Sequence, residues 1–490
     1  MLAGVLGHLT TRARGVANAP LIVAVGYVVL LLCVPSQLVL GPLGAAGSPA
    51  SLWGMAALVW WCASTLGGQN ATRGLTAVRV AVLALVCCVL AAYANGNARG
   101  WYAPLTVRQE TDELWTLAPQ TLSHVAGMMI SAGDRGVLAF AAWIGIVLVV
   151  ADGIRSWCDL ERLVTWLTWV GAVIAAVGLL QFITGHNLAG SISVPGLVAN
   201  SEIGGTQTRS IFNRVSATAV HPIEFGVVLA CIFPLALHRT IHQWGRRGAA
   251  LPGVLILVGA CVSISRSAVL ALLVAMLVLF LGWPARWRVR ALLLAPVAVV
   301  ALRVAIPGLV GTIVSMFRNL FDDPSVTGRT TDYDVVLDLY ADHWLIGRGL
   351  FTFIPRYYRI LDNQYLMLLV EIGILGLLAV LVFLAVAFLN GIGARRARDP
   401  RARHLGLALA ASVAGGAVGM FTFDAWGFPM AAGIGFLVAG MAGAARRLAR
   451  ADGVPPVGRT PVPAPYRASD EPSDQTPHVV QTGGPADVRG

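Results

Sequence analysis

Arg209, Arg214, Arg266, Arg329, Arg348, Arg356 and Arg359 stand apart from the short basic clusters that hold most of the chain's positive charge. A guanidinium keeps its charge at any physiological pH, and its planar fork makes paired hydrogen bonds to a phosphate or diphosphate. Several of them turned toward one place would hold such an anion. Arg266 is the most isolated, set in SISRS between two apolar runs with no acidic neighbour in sequence. An arginine at membrane depth is costly and is usually paired or functional. The plain alternative is a helix-end side chain that reaches back to the interface.

Two further stretches carry polar groups at the mouths of apolar runs. In AVHPIEFG, Pro222 suits the first position of a helix, and His221 and Glu224 flank it. Helix starts expose unpaired N–H groups and favour anions, although a histidine there often only satisfies the backbone. In GRGLFTFIPRYYRILDNQYLMLLVEIGILGLL, from Gly347, Asp362 and Asn363 precede the apolar run, and Glu371 sits inside it. Asp362 is a candidate proton acceptor for a hydroxyl or a helix N-cap. Glu371 reads as an internal partner for an arginine or for a neighbouring helix. Tyr357, Tyr358 and Tyr365 offer aromatic surface of the kind that sits at membrane interfaces and stacks on sugars.

The elements that must position these residues are membrane helices. The 490 residues are 57% hydrophobic and 12% charged, with mean hydropathy +0.74. A soluble domain is about 25% charged, so the composition excludes a water-soluble fold and specifies an all-α, polytopic transmembrane bundle. Apolar runs long enough to span recur about twelve times. They lie near 19–40, 50–66, 77–95, 136–152, 163–183, 221–238, 250–264, 267–283, 291–312, 364–389, 404–422 and 428–445. The net charge of +11 does not imply nucleic acid, because its arginines alternate between short loops, which is the signature of orientation. That alternation predicts both termini in the cytoplasm and large outer loops near 96–135, 184–220 and 313–363, with the first span retained as an anchor.

A membrane domain is expected over 1–450, and a Pro/Gly/Ser/Thr-rich disordered cytoplasmic tail over 451–490. Within the third loop a short surface helix is expected from Thr331 to Trp344. Its Asp334, Asp338 and Asp342 read as a solvated stripe before a metal site. Asp322 and Asp323 form the remaining acidic pair, and the seven cysteines have no zinc-ligand spacing. No metal and no cofactor is expected.

Four stretches together resemble the O-antigen ligase and polymerase family of bacterial envelope proteins. RVSATAVHPIEFGVVLACIFPLAL resembles the family's arginine followed by a Pro-Asn-Glu-like helix start, with Ile223 where Asn is usual. SISRSAVLALLVA resembles its Ser-Arg turn, and TGRTTDYDVVLDLYADHWLIGRGLFTF its Gly-Arg, helix and Gly-x-Gly segment, with Trp344 in place of Pro. LDNQYLMLLVEIGILGLL resembles its His-Asn-x-Tyr-Leu helix entry, with Asp362 where the ligases have histidine. The resemblance runs from about 200 to 389.

The resemblance implies glycosyl transfer at the outer side of the bacterial cytoplasmic membrane, without metal or nucleotide sugar. A glycan on an undecaprenyl-diphosphate-type lipid would pass to the hydroxyl of a glycan or glycolipid acceptor. Arg214 and Arg266 would hold the leaving diphosphate, and Asp362 would stand in for the histidine as base. Arg209, Arg329, Arg348, Arg356, Arg359, His221, Asn363 and Tyr365 would bind substrate. Replacement of the histidine leans the reading from ligase toward polymerase. The rival class is a lipid-linked oligosaccharide flippase, which would carry charges within several spans and internal repeats.

Overall fold

The computed structural model describes residues 2–72, 74–99, 106–108, 114–116, 119–200, 207–209, 212–243, 248–318, 333, 336, 337, 340, 341, 343–355 and 360–453. The first three residues of the expected tail, 451–453, instead close the last helix; the rest of it and the acidic residues of the third loop (Asp322, Asp323, Asp334, Asp338 and Asp342) lie outside the described residues. So do Arg329, Arg356, Arg359, Tyr357 and Tyr358. In the expected surface helix Tyr333, Val336, Leu337, Tyr340 and Ala341 are helical, while His343 and Trp344 form a turn.

The chain is all-α, with each apolar run on a helix. In order they are α1 (Leu2–Cys33), α2 (Pro49–Leu66), α3 (Ala77–Arg99), α4 (Pro119–Gly153), α5 (Trp157–Thr184) and α6 (Pro222–His242). There follow α7 (Leu251–Val262), α8 (Arg266–Gly282), α9 (Ala285–Ala305), α10 (Leu309–Arg318), α11 (Gln364–Ala394), α12 (Pro400–Gly419) and α13 (Pro429–Gly453). Among the described residues, 6 helices are long and apolar enough to cross a membrane, or up to 7 if the bent pair α9–α10 is one span. The protein is an integral membrane bundle.

Two spans differ from the sequence expectation. The run at 291–312 is bent by 113° between α9 and α10, where Ile306-Pro307-Gly308 interrupts it and Gly308 takes φ +90°. Proline removes a donor and clashes with the preceding turn, while glycine reverses the chain at little cost. The run at 364–389 is one helix by length, yet it breaks at Gly373 (φ 67°, ψ −175°).

α12 lies at the centre, packed against α6, α8, α11 and α13. Its stretch Leu405–Val413 is buried throughout, and small residues let neighbouring backbones approach closely. Short antiparallel ribbons decorate the loops. Leu38–Val39 pairs with Val198–Ala199, and Gln207–Arg209 with Phe212–Arg214. The first of these fastens the segment after α1 to the second large loop.

Candidate active site

The segment from Arg214 to Val220 is folded into the bundle rather than lying on it, and Val215 to Ala219 are buried. Buried polar groups must find partners, and here they come from α5, from α1 and from the segment after α1. Ala217, at φ 49°, donates its N–H to Gln181 Oε1 of α5 at 3.0 Å. Thr218 donates its hydroxyl to the Leu32 carbonyl of α1 at 2.6 Å. The amide of Ser36 donates to the Thr218 carbonyl at 3.0 Å. Arg214 is thereby fixed at the edge of the core, only 8% exposed.

This segment delivers the chain to the start of α6, where Pro222 is the first helical residue as its sequence suggests. His221 is the N-cap, and its Nδ1 accepts from the Ile223 amide at 3.2 Å. Burial and then the nearby Arg214 charge lower its pKa from 6.5 to about 4. The imidazole is therefore neutral near pH 7, with Nδ1 committed to the cap. It can donate from Nε2 but has no lone pair left for a base's work. Glu224, fully buried, accepts from the amides of Val220 at 2.7 Å and Met430 at 2.6 Å. That carboxylate joins the starts of α6 and α13.

Arg266 opens α8 directly below. Ser263, Ile264, Ser265 and Ser267 of its turn are buried, and Ile264 sits at φ 46°. A Cβ on Gly226 would come within 2.3 Å of Ser263 Oγ, so only glycine lets the turn dock on α6. The turn that carries Arg266 is thus packed against the first turns of α6.

The stretch Trp344–Phe353 threads into the break of α11. The Glu371 carbonyl accepts from the amides of Arg348 at 3.0 Å and Gly349 at 2.7 Å. On the other side of the break, Ile374 N donates to the Trp344 carbonyl at 2.9 Å and Leu375 N to that of Leu345 at 3.3 Å. The interrupted helix ends are satisfied by the inserted loop, the condition for irregular backbone inside a membrane protein. Arg348 is 5% exposed and lies within electrostatic reach of Glu371. Glu371 Oε1 accepts from Phe353 N at 3.3 Å. Arg348 is therefore set deep in the bundle, not at the loop surface where the sequence reading put it.

At the entry to α11 the cap is Asn363, not Asp362: its Oδ1 accepts from Tyr365 N at 3.0 Å and Leu366 N at 3.3 Å. Asp362 is relieved of capping and stands half-buried beside it. Tyr365 turns inward, its hydroxyl donating to the Ala417 carbonyl at 2.8 Å and its ring 4.3 Å from that of Phe421. It is a packing residue in this structure rather than an interfacial surface. Gln364 joins α11 to the loop after α12, accepting from Trp426 N at 2.6 Å.

That loop carries Asp424. Burial raises its pKa from 3.8 to about 7, and the negative charges of Asp362 and Glu224 add to the effect. Glu371 also feels Asp424. Asp424 is thus the meeting point of carboxylates from α6, α11 and the mouth of α13. Beneath it opens an apolar cavity of about 60 Å³, lined by Val227, Cys231, Phe383, Met420, Trp426 and Phe436 among others.

Of the residues singled out from sequence, Arg214, His221, Arg266, Arg348, Asp362 and Asn363 belong to the same end of the bundle, grouped by the starts of α6, α8 and α11. Arg209 lies on the Gln207–Arg214 ribbon, but its side chain is outside the described residues. Asp424 was not among the candidate site residues read from sequence. Its signal is a lone carboxylate in the apolar stretch FTFDAWGF.

A second polar cluster lies at the other end of α6. Trp283 Nε1 donates to His404 Nε2 at 2.8 Å, His404 Nδ1 meets His238 Nδ1 at 2.9 Å, and His238 Nε2 meets Glu161 Oε1 at 3.0 Å. Arg401 closes the chain with two bonds to Glu161, at 2.8 and 3.0 Å. His238, His242 and His404 bring ligand atoms within 4.8 Å of one another, near enough for a metal ion. In this structure both ring nitrogens of His238 and of His404 are taken by the hydrogen-bonded chain instead.

The O-antigen ligase family model matches residues 251–381. None of the curated proteins matches the chain. The matched segment runs from the start of α7 into α11 and contains Arg266, Arg348, Asp362 and the Gly373 break. It bears out the resemblance to the O-antigen ligase and polymerase family.

Proposed function

We propose that this membrane protein, whose residues 251–381 carry the O-antigen ligase pattern, transfers a glycan from a lipid-diphosphate donor to an acceptor sugar hydroxyl. The donor is of the undecaprenyl type, the acceptor a glycan or glycolipid, and the reaction takes place at the outer face of the bacterial cytoplasmic membrane without a metal. The family match is the observation that carries this reading. Arg214 and Arg266, held on neighbouring helix starts, would receive the diphosphate.

In the reaction the bond from the donor sugar's anomeric carbon to the phosphate oxygen breaks, and its electron pair leaves with the diphosphate. Negative charge grows on that oxygen, and fixed guanidiniums stabilise it more in the transition state than before it. The acceptor oxygen forms the new bond to the anomeric carbon and loses its proton to a carboxylate. Asp424, with its pKa raised to about 7, is matched to that task near neutral pH. Asp362 beside it raises its proton affinity. The apolar cavity below Asp424 suits part of a polyprenyl or acyl chain.

The interruption of α11 favours a second reading, a flippase, because broken helices recur where transporters hold substrate. Proteoliposomes holding the full chain and a defined lipid-linked repeat unit separate the two. Transfer predicts a new glycosidic product, as a ladder for a polymerase or a single addition for a ligase. Movement of the lipid-linked unit across the bilayer with no new bond would overturn the proposal in favour of the flippase.

A further inference from the structure

The arginine-rich end of the bundle holds a pocket that glycan transfer does not use. It is an open cleft of about 250 Å³ bounded by Thr72 and Thr76, by Asp152 at the end of α4, and by Arg446, Arg447 and Arg450 in the last turns of α13. The start of α3 also faces it, through Ala77 and Val78. The first-turn N–H groups of a helix have no partner within the helix and carry its positive dipole end.

The charge here is unbalanced. Asp152 is already taken, by Arg79 Nε at 2.8 Å and Trp61 Nε1 at 3.0 Å. Arg446 spends one N–H on the Gly393 carbonyl at 2.7 Å, and Arg447 bonds the carbonyls of Ala151 and Ile154. Each has five N–H donors, so both keep donors to spare. Arg450 makes no hydrogen bond or ion pair among the described residues, and Arg450 and Arg396 lie close enough to Arg446 to repel it. Like charges gathered around a cleft are stabilised by an anion between them.

Thr72 supplies an independent indication. It is only 7% exposed, and its Oγ1 is buried without a hydrogen-bond partner. A buried hydroxyl left unsatisfied is destabilising, and an oxygen-rich ligand in the cleft would satisfy it. We propose that this pocket binds a phosphate group through Thr72, the start of α3 and the arginines of α13. The phosphate belongs to an anionic phospholipid headgroup or to a free phosphate anion. Basic pockets between membrane helices are suited to such headgroups.

The full chain, purified in a maltoside detergent, is titrated with phosphatidylglycerol or with inorganic phosphate, and bound mass is read by native mass spectrometry. The expected result is a saturable adduct that the Thr72→Val, Arg450→Gln double variant weakens about tenfold. An adduct with phosphatidylglycerol alone assigns the lipid headgroup, and one with both assigns the phosphate group itself. Thr72→Val preserves shape while removing the unsatisfied hydroxyl, and Arg450 is exposed, so without ligand the variant should melt no lower than the parent. Should the double variant fold poorly, Arg450→Gln alone carries the comparison. Equal affinity in parent and variant, or no adduct with either ligand, would overturn the proposal.

Discussion

Asp362 and Asp424 divide one task between two neighbouring carboxylates. If Asp424 receives the acceptor's proton, transfer needs its ionised form, so the rate should climb as pH rises through about 7. The same shift has a cost in stability. A carboxyl whose folded pKa is raised favours the folded state below its ordinary value of 3.8, and that contribution fades as pH rises toward about 7. Asp424→Asn should abolish transfer, by about a hundredfold or more for a lost general base, in a protein that melts no lower than the parent. Asp362→Asn removes a repelling charge, so it should move the pH profile downward while leaving a measurable rate. Full loss in Asp362→Asn with an unaltered profile in Asp424→Asn would exchange the two roles. From sequence, Asp362 and Asn363 were equally able to cap α11, since both side chains suit the N-cap. Only the backbone's path into the helix decides for Asn363, and that path depends on the contact of Gln364 with the loop after α12.

The helices were legible because an apolar run of spanning length is a local property, and each of the expected runs lies on a helix. The break in α11 was not, because EIGILGLL reads as unbroken hydrocarbon. What opens it is a long-range fit between Gly347 and Gly373. A Cβ on Gly373 would lie 2.5 Å from the Leu345 carbonyl, and one on Gly347 would lie 2.5 Å from that of Glu371. Gly373→Ala therefore combines a left-handed backbone with a clash against main chain, at a cost of about 2 kcal/mol or more. The expected outcome is a lower melting temperature, with faster amide exchange at Arg348 and Gly349, whose donors the break holds. Gly435→Ala in α13, where a Cβ meets nothing within 4 Å, should be neutral or slightly stabilising. Equal melting of the two variants would mean that the inserted loop does not depend on the glycine pair.

At the scale of the whole molecule the candidate site and the phosphate pocket sit at opposite ends of the bundle, so orientation decides which compartment each one faces. Arginine-rich short loops predict that the pocket end is cytoplasmic. Ser216 would have been a natural reporter on the second large loop, but it is buried. Ser193 is exposed on the same loop, beyond the end of α5. Cys158, a native exposed thiol, lies in the first turn of that helix. The 28 residues of α5 separate the two by about 42 Å at 1.5 Å per residue, enough to place them on opposite sides of the hydrocarbon. The other exposed cysteines, Cys62 and Cys87, sit within α2 and α3, where lipid shields them from a charged, water-soluble maleimide. An impermeant maleimide added to intact cells should therefore label Ser193→Cys strongly and the parent protein very little. Permeabilising the membrane should then reveal Cys158. Labelling of Cys158 from outside, with Ser193→Cys protected until permeabilisation, would invert the bundle. Asp424, Arg214 and Arg266 would then face the cytoplasm, and transfer at the outer face would have to be given up.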